Sequence, residues 1–213
     1  MLHILQRLMH KMQRIGKREL TVLWYFYRQP KGHVRRIQKT LKMPEHTLLK
    51  GLAVLEKKKM IQSRREGNLK IYDVDLKHPL VAVFFAYFDL ERLATLEYTR
   101  EKSVRMFVEL VKTIKMPYFV LLFGSTAKGN YAHKSDIDVI VVYGAVEQGI
   151  AEKIKGATRT IFAETGLKIN SIVMKLGEFL KEKGNTQNYA IQDALASGYP
   201  VTGQQFYHEV TST

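Results

Sequence analysis

The sequence predicts an α+β chain: a basic, mostly helical N-terminal module followed by a small mixed-sheet domain. Three observations carry this expectation. Apolar residues recur at helical spacing to about Lys58, and the period changes to alternation after Met60. Beyond Pro117, short apolar runs alternate with helical stretches, as expected of a sheet with helices packed on it. Charge also divides along the chain: residues 1–78 hold 19 Lys and Arg against 6 Asp and Glu, whereas residues 79–213 hold 15 against 14.

At the N-terminus, Leu5, Leu8, Met9, Met12 and Ile15 mark an amphipathic helix that packs on the domain or on a second copy. A second helix, about Lys17 to Arg28, puts Leu20, Leu23, Trp24 and Tyr27 on one face and ends at Gln29-Pro30-Lys31-Gly32. A short helix from His33 to Leu41 follows, then the break at Lys42-Met43-Pro44. The next helix runs from Glu45 to about Lys58, with Pro44 suited to its first turn. Leu48, Leu52 and Leu55 form its buried stripe, which leaves His46, Thr47 and Lys50 on or near the outward face. Alternation over Ile61–Glu66 and Leu69–Val74, around Gly67-Asn68, predicts a hairpin with Arg64 and Arg65 at its basic tip.

This order of helices and hairpin, over about residues 17–76, resembles a winged helix-turn-helix domain. The resemblance implies binding to double-stranded DNA through His46, Thr47, Lys50, Arg64 and Arg65. The concentrated charge points the same way: adaptation for solubility would spread it over both parts, whereas a polyanion-binding module gathers it. The expected division is therefore a DNA-binding domain at 1–78, a linking helix at 79–98 and a second domain at 99–213. Phe84, Phe85, Tyr87 and Phe88 of the linking helix call for burial, either between domains or in a homodimer contact.

Composition excludes some chemistry. The 213 residues include no cysteine, which removes disulfides, thiolate metal sites and thiol nucleophiles. The longest apolar run, Leu80–Phe88, falls short of the roughly 18 to 20 residues of a membrane span. The first residues have no basic-then-apolar pattern with a small-residue cleavage site, so no signal peptide and no membrane association are expected. The expected compartment is the cytoplasm.

The chemistry is expected in the second half. An apolar strand, Tyr118–Phe123, runs into Gly124-Ser125-Thr126-Ala127-Lys128-Gly129, where a glycine lets backbone approach a phosphate and a serine supplies a hydroxyl at a helix start. After ten intervening residues comes Asp136-Ile137-Asp138, preceded by Ser135 and followed by Val139-Ile140-Val141-Val142. A period of two puts both carboxylates on one face of a strand otherwise fit for burial, which leaves two readings: a cation sits between them, or Asp136 lies at the strand's exposed mouth and caps the preceding turn. Lys128 and Lys134 are cationic candidates beside them.

This unit resembles the polymerase-β nucleotidyltransferase superfamily, and more narrowly its minimal nucleotidyltransferases. The resemblance covers about residues 100–205. It implies that Asp136 and Asp138 hold Mg²⁺ or Mn²⁺ against a nucleoside triphosphate, with Gly124, Ser125, Lys128 and Ser135 at the nucleotide. The family's third carboxylate is expected on the strand Leu167–Met174, where Asn170 stands instead. An amide can ligate a metal but cannot act as a base. The expected function is Mg-dependent transfer of a nucleoside monophosphate, AMP from ATP first, to an unidentified acceptor such as a protein. The alternative is a weakly active or inactive transcription regulator that senses nucleotide or holds a partner, including an antitoxin-like role.

Overall fold

Helix Lys17–Arg28 (α1) opens the computed structural model, which describes residues 15–211. The helix expected ahead of it lies outside the described residues. The chain divides into two compact units at Phe88/Asp89.

In the first unit, α1 buries Val22, Leu23, Tyr25 and Phe26. Strand Lys31–His33 (β1), too short to show a period, was not foreseen. His33 then caps helix Val34–Leu41 (α2), its Nδ1 accepting from the Arg36 N–H at 3.4 Å. Helix Glu45–Lys57 (α3) buries Leu48, Gly51, Leu52 and Leu55. Gly51 brings α3 close to α1: a Cβ there would sit 3.2 Å from Val22. Strands Ile61–Glu66 (β2) and Leu69–Val74 (β3) form the expected hairpin, and β1 adds to β3 in the order β1-β3-β2.

Helix Pro79–Ala94 (α4) follows. Its aromatic residues have a different destination from the one expected. Phe84, Phe85 and Phe88 belong to the first unit's own core, where Phe88 meets Trp24 edge-on at 5.0 Å, while Tyr87 is half exposed. Burying these rings inside the unit needs neither a second domain nor a second copy.

In the second unit, helix Tyr98–Ile114 (α5) precedes strand Phe119–Phe123 (β4), the short helix Gly124–Lys128 (α6), strand Ile137–Tyr143 (β5) and helix Ile150–Thr165 (α7). Strand Ile169–Lys175 (β6), helices Leu176–Lys183 (α8) and Tyr189–Ser197 (α9), strand Tyr199–Thr202 (β7) and helix Gln204–Thr211 (α10) complete it. The sheet order is β6-β5-β4-β7; β4 is antiparallel to both neighbours, and β5 is parallel to β6.

The continuous apolar runs of β4 and β5 follow from burial on both faces. On one side Val120, Leu122, Val139 and Val141 pack with Phe107 and Val111 of α5 and Ile154 and Ile161 of α7. On the other, Phe119, Leu121, Ile140 and Val142 pack with Phe179 of α8, Ile191 of α9 and Tyr207 of α10. The resulting architecture is the expected α+β class. Among the described residues no helix is long and apolar enough to cross a membrane.

Candidate functional site

Strand β4 ends where its apolar run ends, and Gly124 turns the chain with φ +69°, a conformation open chiefly to glycine. The turn also needs space. A Cβ at position 124 would stand 2.5 Å from Oδ2 of Asp138, so a larger residue would push that carboxylate aside.

Strand pairing brings the acids together. Asp138 near the start of β5 lies in register between Phe123 at the end of β4 and Asn170 near the start of β6. Asp136 immediately precedes β5 and therefore shares the face of Asp138. Asn170 Nδ2 donates at 3.1 Å to Asp136 Oδ2 and at 3.1 Å to Asp138 Oδ1. Lys168 Nζ donates to the same Asp136 oxygen at 3.1 Å. The Lys168 hydrogen bond, followed by that from Asn170, holds the Asp136 carboxyl below its ordinary 3.8.

A buried guanidinium fixes the loop from α6 to β5. Arg100 of α5 is 1% exposed; its Nη1 donates to Thr126 Oγ1 at 3.1 Å. Its Nη2 donates to the carbonyls of Ala132, His133 and Ser135 at 2.8, 3.1 and 2.9 Å. The guanidinium also lies 4.1 Å from the Tyr131 ring centroid. The backbone just ahead of Asp136 is therefore pinned at several points. A cleft of about 610 Å³ opens beside this loop, within the range typical of ligand sites, and is lined by His133, Lys134, Asp136, Phe162 and Lys168 among others. Phe162 is 55% exposed.

Of the residues expected at the nucleotide, Gly124, Asp136, Asp138 and Asn170 come together. The others have local partners. Ser125 stands in the first turn of α6, its carbonyl accepting from the Asn130 N–H at 3.2 Å. Lys128 pairs with Asp193 of α9 at 2.6 Å. Ser135 Oγ accepts from the Ala132 N–H at 2.9 Å, and its carbonyl serves Arg100. Lys134 lines the cleft.

The residue set fits a hard divalent cation. Two carboxylates on one face supply oxygen ligands, and a half-turn of the Asn170 amide presents its oxygen in place of the nitrogen. Among the described residues no cluster of three or more His, Cys, Asp or Glu is found, in keeping with an amide at the third position.

In the first unit, His46 and Lys50 are exposed on α3, and Thr47 Oγ1 lies 3.1 Å from His46 Nε2. Arg64 is engaged within the hairpin by Glu66 at 2.7 Å and by Asp73. Arg65 is exposed opposite Lys70. A basic concavity that went unforeseen, lined by Arg35, Lys39 and Lys42, lies on α2 and the turn after it.

Arg100 and Lys168 were also missed, although the sequence carries a signal for each. Arg100 stands in phase with Val104, Phe107 and Val111, so it occupies the buried stripe of its helix. Lys168 precedes Asn170 by the strand period of two.

With the geometry in place, comparison with known proteins bears on the second unit. Residues 104–195 match the family model described as the nucleotidyltransferase domain, a span that contains Gly124, Asp136, Asp138, Lys168 and Asn170. The C-terminal region thus carries a domain of nucleotidyltransferase type. No curated protein matches the chain. A solved structure of TrmBL2, described as an archaeal chromatin protein with a novel mode of DNA binding, is similar at 15% identity. The likeness covers 89% of this chain and 75% of that one with a TM-score of 0.28, too low to support an argument.

Replacing Arg100 by Met removes the shared donor of the part-buried Ala132, His133 and Ser135 carbonyls and of the Thr126 hydroxyl, at about 1 kcal/mol for each lost hydrogen bond. Arg100→Met is therefore expected to destabilise the second unit by about 3 kcal/mol and to speed amide exchange over residues 130–137, measured by hydrogen exchange with mass spectrometry. A second test follows from Asp136. Because its folded pKa is depressed, its stabilising contribution is present above 3.8 and is lost as pH falls through the lower folded value. The carboxyl carbon should titrate below 3.8 by NMR and move up toward it in Lys168→Met.

Proposed function

We propose that the second unit binds a nucleoside triphosphate with a divalent cation and transfers its nucleoside monophosphate, AMP from ATP, to an acceptor. The first unit would deliver it to double-stranded DNA. The observation that supports the transfer reading best is the convergence of Gly124, Asp136, Asp138 and Asn170 at one end of the sheet. Asp136 and Asp138 would hold Mg²⁺ or Mn²⁺, with the amide oxygen of Asn170 as a further ligand. A cation so held neutralises triphosphate charge and favours attack at the α-phosphorus.

The chain's own contribution is position. Gly124 keeps backbone close to the carboxylates, and Arg100 holds the loop that presents Asp136. The cleft lined by Phe162 and Lys134 shares Asp136 with the carboxylate site and offers an acceptor a place beside it. Asn170 cannot accept the acceptor's proton. Phosphoryl transfer depends mostly on positioning and electrostatics, so an amide there is compatible with slow turnover.

The same amide favours a second reading, a regulator that binds nucleotide without turning it over, with an antitoxin-like role as one form of it. For DNA, the exposed His46 and Lys50 and the basic first unit support a winged helix-turn-helix assignment over residues 1–78. A linking helix at 79–98 and a nucleotidyltransferase domain at 99–213 complete this division.

The deciding experiment is Mg²⁺-dependent label transfer from α-labelled ATP, run beside ATP binding, with wild type and Asp136→Ala/Asp138→Ala. Transfer should be at least tenfold lower in the double variant. Binding without transfer in the wild type selects the regulator, and binding unaffected by the double variant removes the site. For DNA, affinity of the full chain for duplex should fall steeply with salt. Lys50→Ala and Arg65→Ala should each reduce the slope of log affinity against log salt by about 1. A salt-independent or absent interaction would replace DNA with a protein partner.

A further inference from the structure

We propose that the Lys168 ammonium is a resident cation for the carboxylate pair, a placeholder that a divalent ion must displace from Asp136. It presupposes the cation-site reading above. Asp136 Oδ2 receives two donors, Lys168 Nζ at 3.1 Å and Asn170 Nδ2 at 3.1 Å, and the Asn170 amide also reaches Asp138 Oδ1 at 3.1 Å. Two negative charges held on one face repel unless compensated. Lys168 supplies the full positive charge and Asn170 supplies N–H donors to both acids.

The arrangement is built by the backbone. The Lys168 carbonyl accepts from the Ile137 N–H at 2.8 Å, which anchors residue 168 beside the residue between the two aspartates. The strand period then directs Lys168 and Asn170 to the same face. The ammonium arm, in contrast, is removable. The Lys168 side chain is 62% exposed and Asp136 is 38% exposed, so the pair is a solvent-screened contact that costs little to open. The neighbouring Lys128 is committed elsewhere, to Asp193 at 2.6 Å.

A free divalent ion therefore meets a pair whose charge is already partly compensated. A metal arriving with a triphosphate brings new anionic oxygens to which the displaced ammonium can turn. Lys168 thus disfavours metal alone relative to metal with nucleotide, and it keeps the acids compensated between ligands.

The experiment is binding of Mn²⁺ alone to the full-length protein, read by the EPR signal of free Mn²⁺ and by calorimetry. Lys168→Met is expected to bind Mn²⁺ about two- to fivefold more tightly than wild type, the scale of a screened surface charge pair. Lys168→Gln, which keeps a long polar chain, should shift in the same direction, and Lys168→Arg should stay near wild type. Equal or weaker Mn²⁺ binding in both neutral variants overturns the placeholder role, as does a lack of Mn²⁺ binding by wild type and both variants alike. If wild type still binds ATP with Mg²⁺ in an Asp136- and Asp138-dependent way, the nucleotide site survives that outcome. If ATP binding ignores both aspartates, the site itself falls.

Discussion

The second unit depends on one buried cation. Arg100 brings a positive charge into the interior, where an isolated ion is costly, and the cost is offset because carbonyls of the loop, the Thr126 hydroxyl and the Tyr131 ring converge on it. The dependence runs both ways. Without that loop the guanidinium would be stranded, and without the guanidinium the backbone leading to Asp136 would lose its anchor. The Thr126 hydroxyl ties α6 to the same group, so the segments on either side of the loop share a single fixed point.

What the anchor serves is an electrostatic end to an apolar sheet. Strands β4 and β5 are buried on both faces, and neither face offers water to a carboxylate. Acids are tolerated only at the end of the sheet where β5 begins and β4 finishes, and there Gly124 brings backbone against Asp138. The long-range field differs between units. The first unit carries nearly all of the chain's excess positive charge, while the second is close to balanced. A polyanion would be drawn to the first unit and discriminated against by little in the second.

Much of this was legible in the sequence. The hairpin Ile61–Val74, the buried stripe of α3 and the strands carrying Asp138 and Asn170 follow from period, because each has enough residues to show one. Strand β1 has three residues and gives no period to read. Strand β7 has four residues around Pro200, and its pairing with β4 is a non-local fact that no local pattern shows. Local rules also leave the partners of cations unread. Arg100 reads as a surface charge unless its phase is weighed above its polarity, and the pairing of Lys128 with Asp193 joins residues distant in sequence. The aromatic run of α4 announced burial, but the residues that cover it, such as Trp24 and Tyr27, could not be read from the run itself.

The parallel pairing of β5 with β6 sets Asp138 directly beside Asn170. An amide and a carboxylate differ at that spot by one nitrogen in place of one oxygen, with nearly the same size and shape. No strand has to slide and no loop has to lengthen to interconvert them. The backbone that sets Asp136, Asp138 and residue 170 on one face would therefore carry three acids after a single substitution, Asn170→Asp.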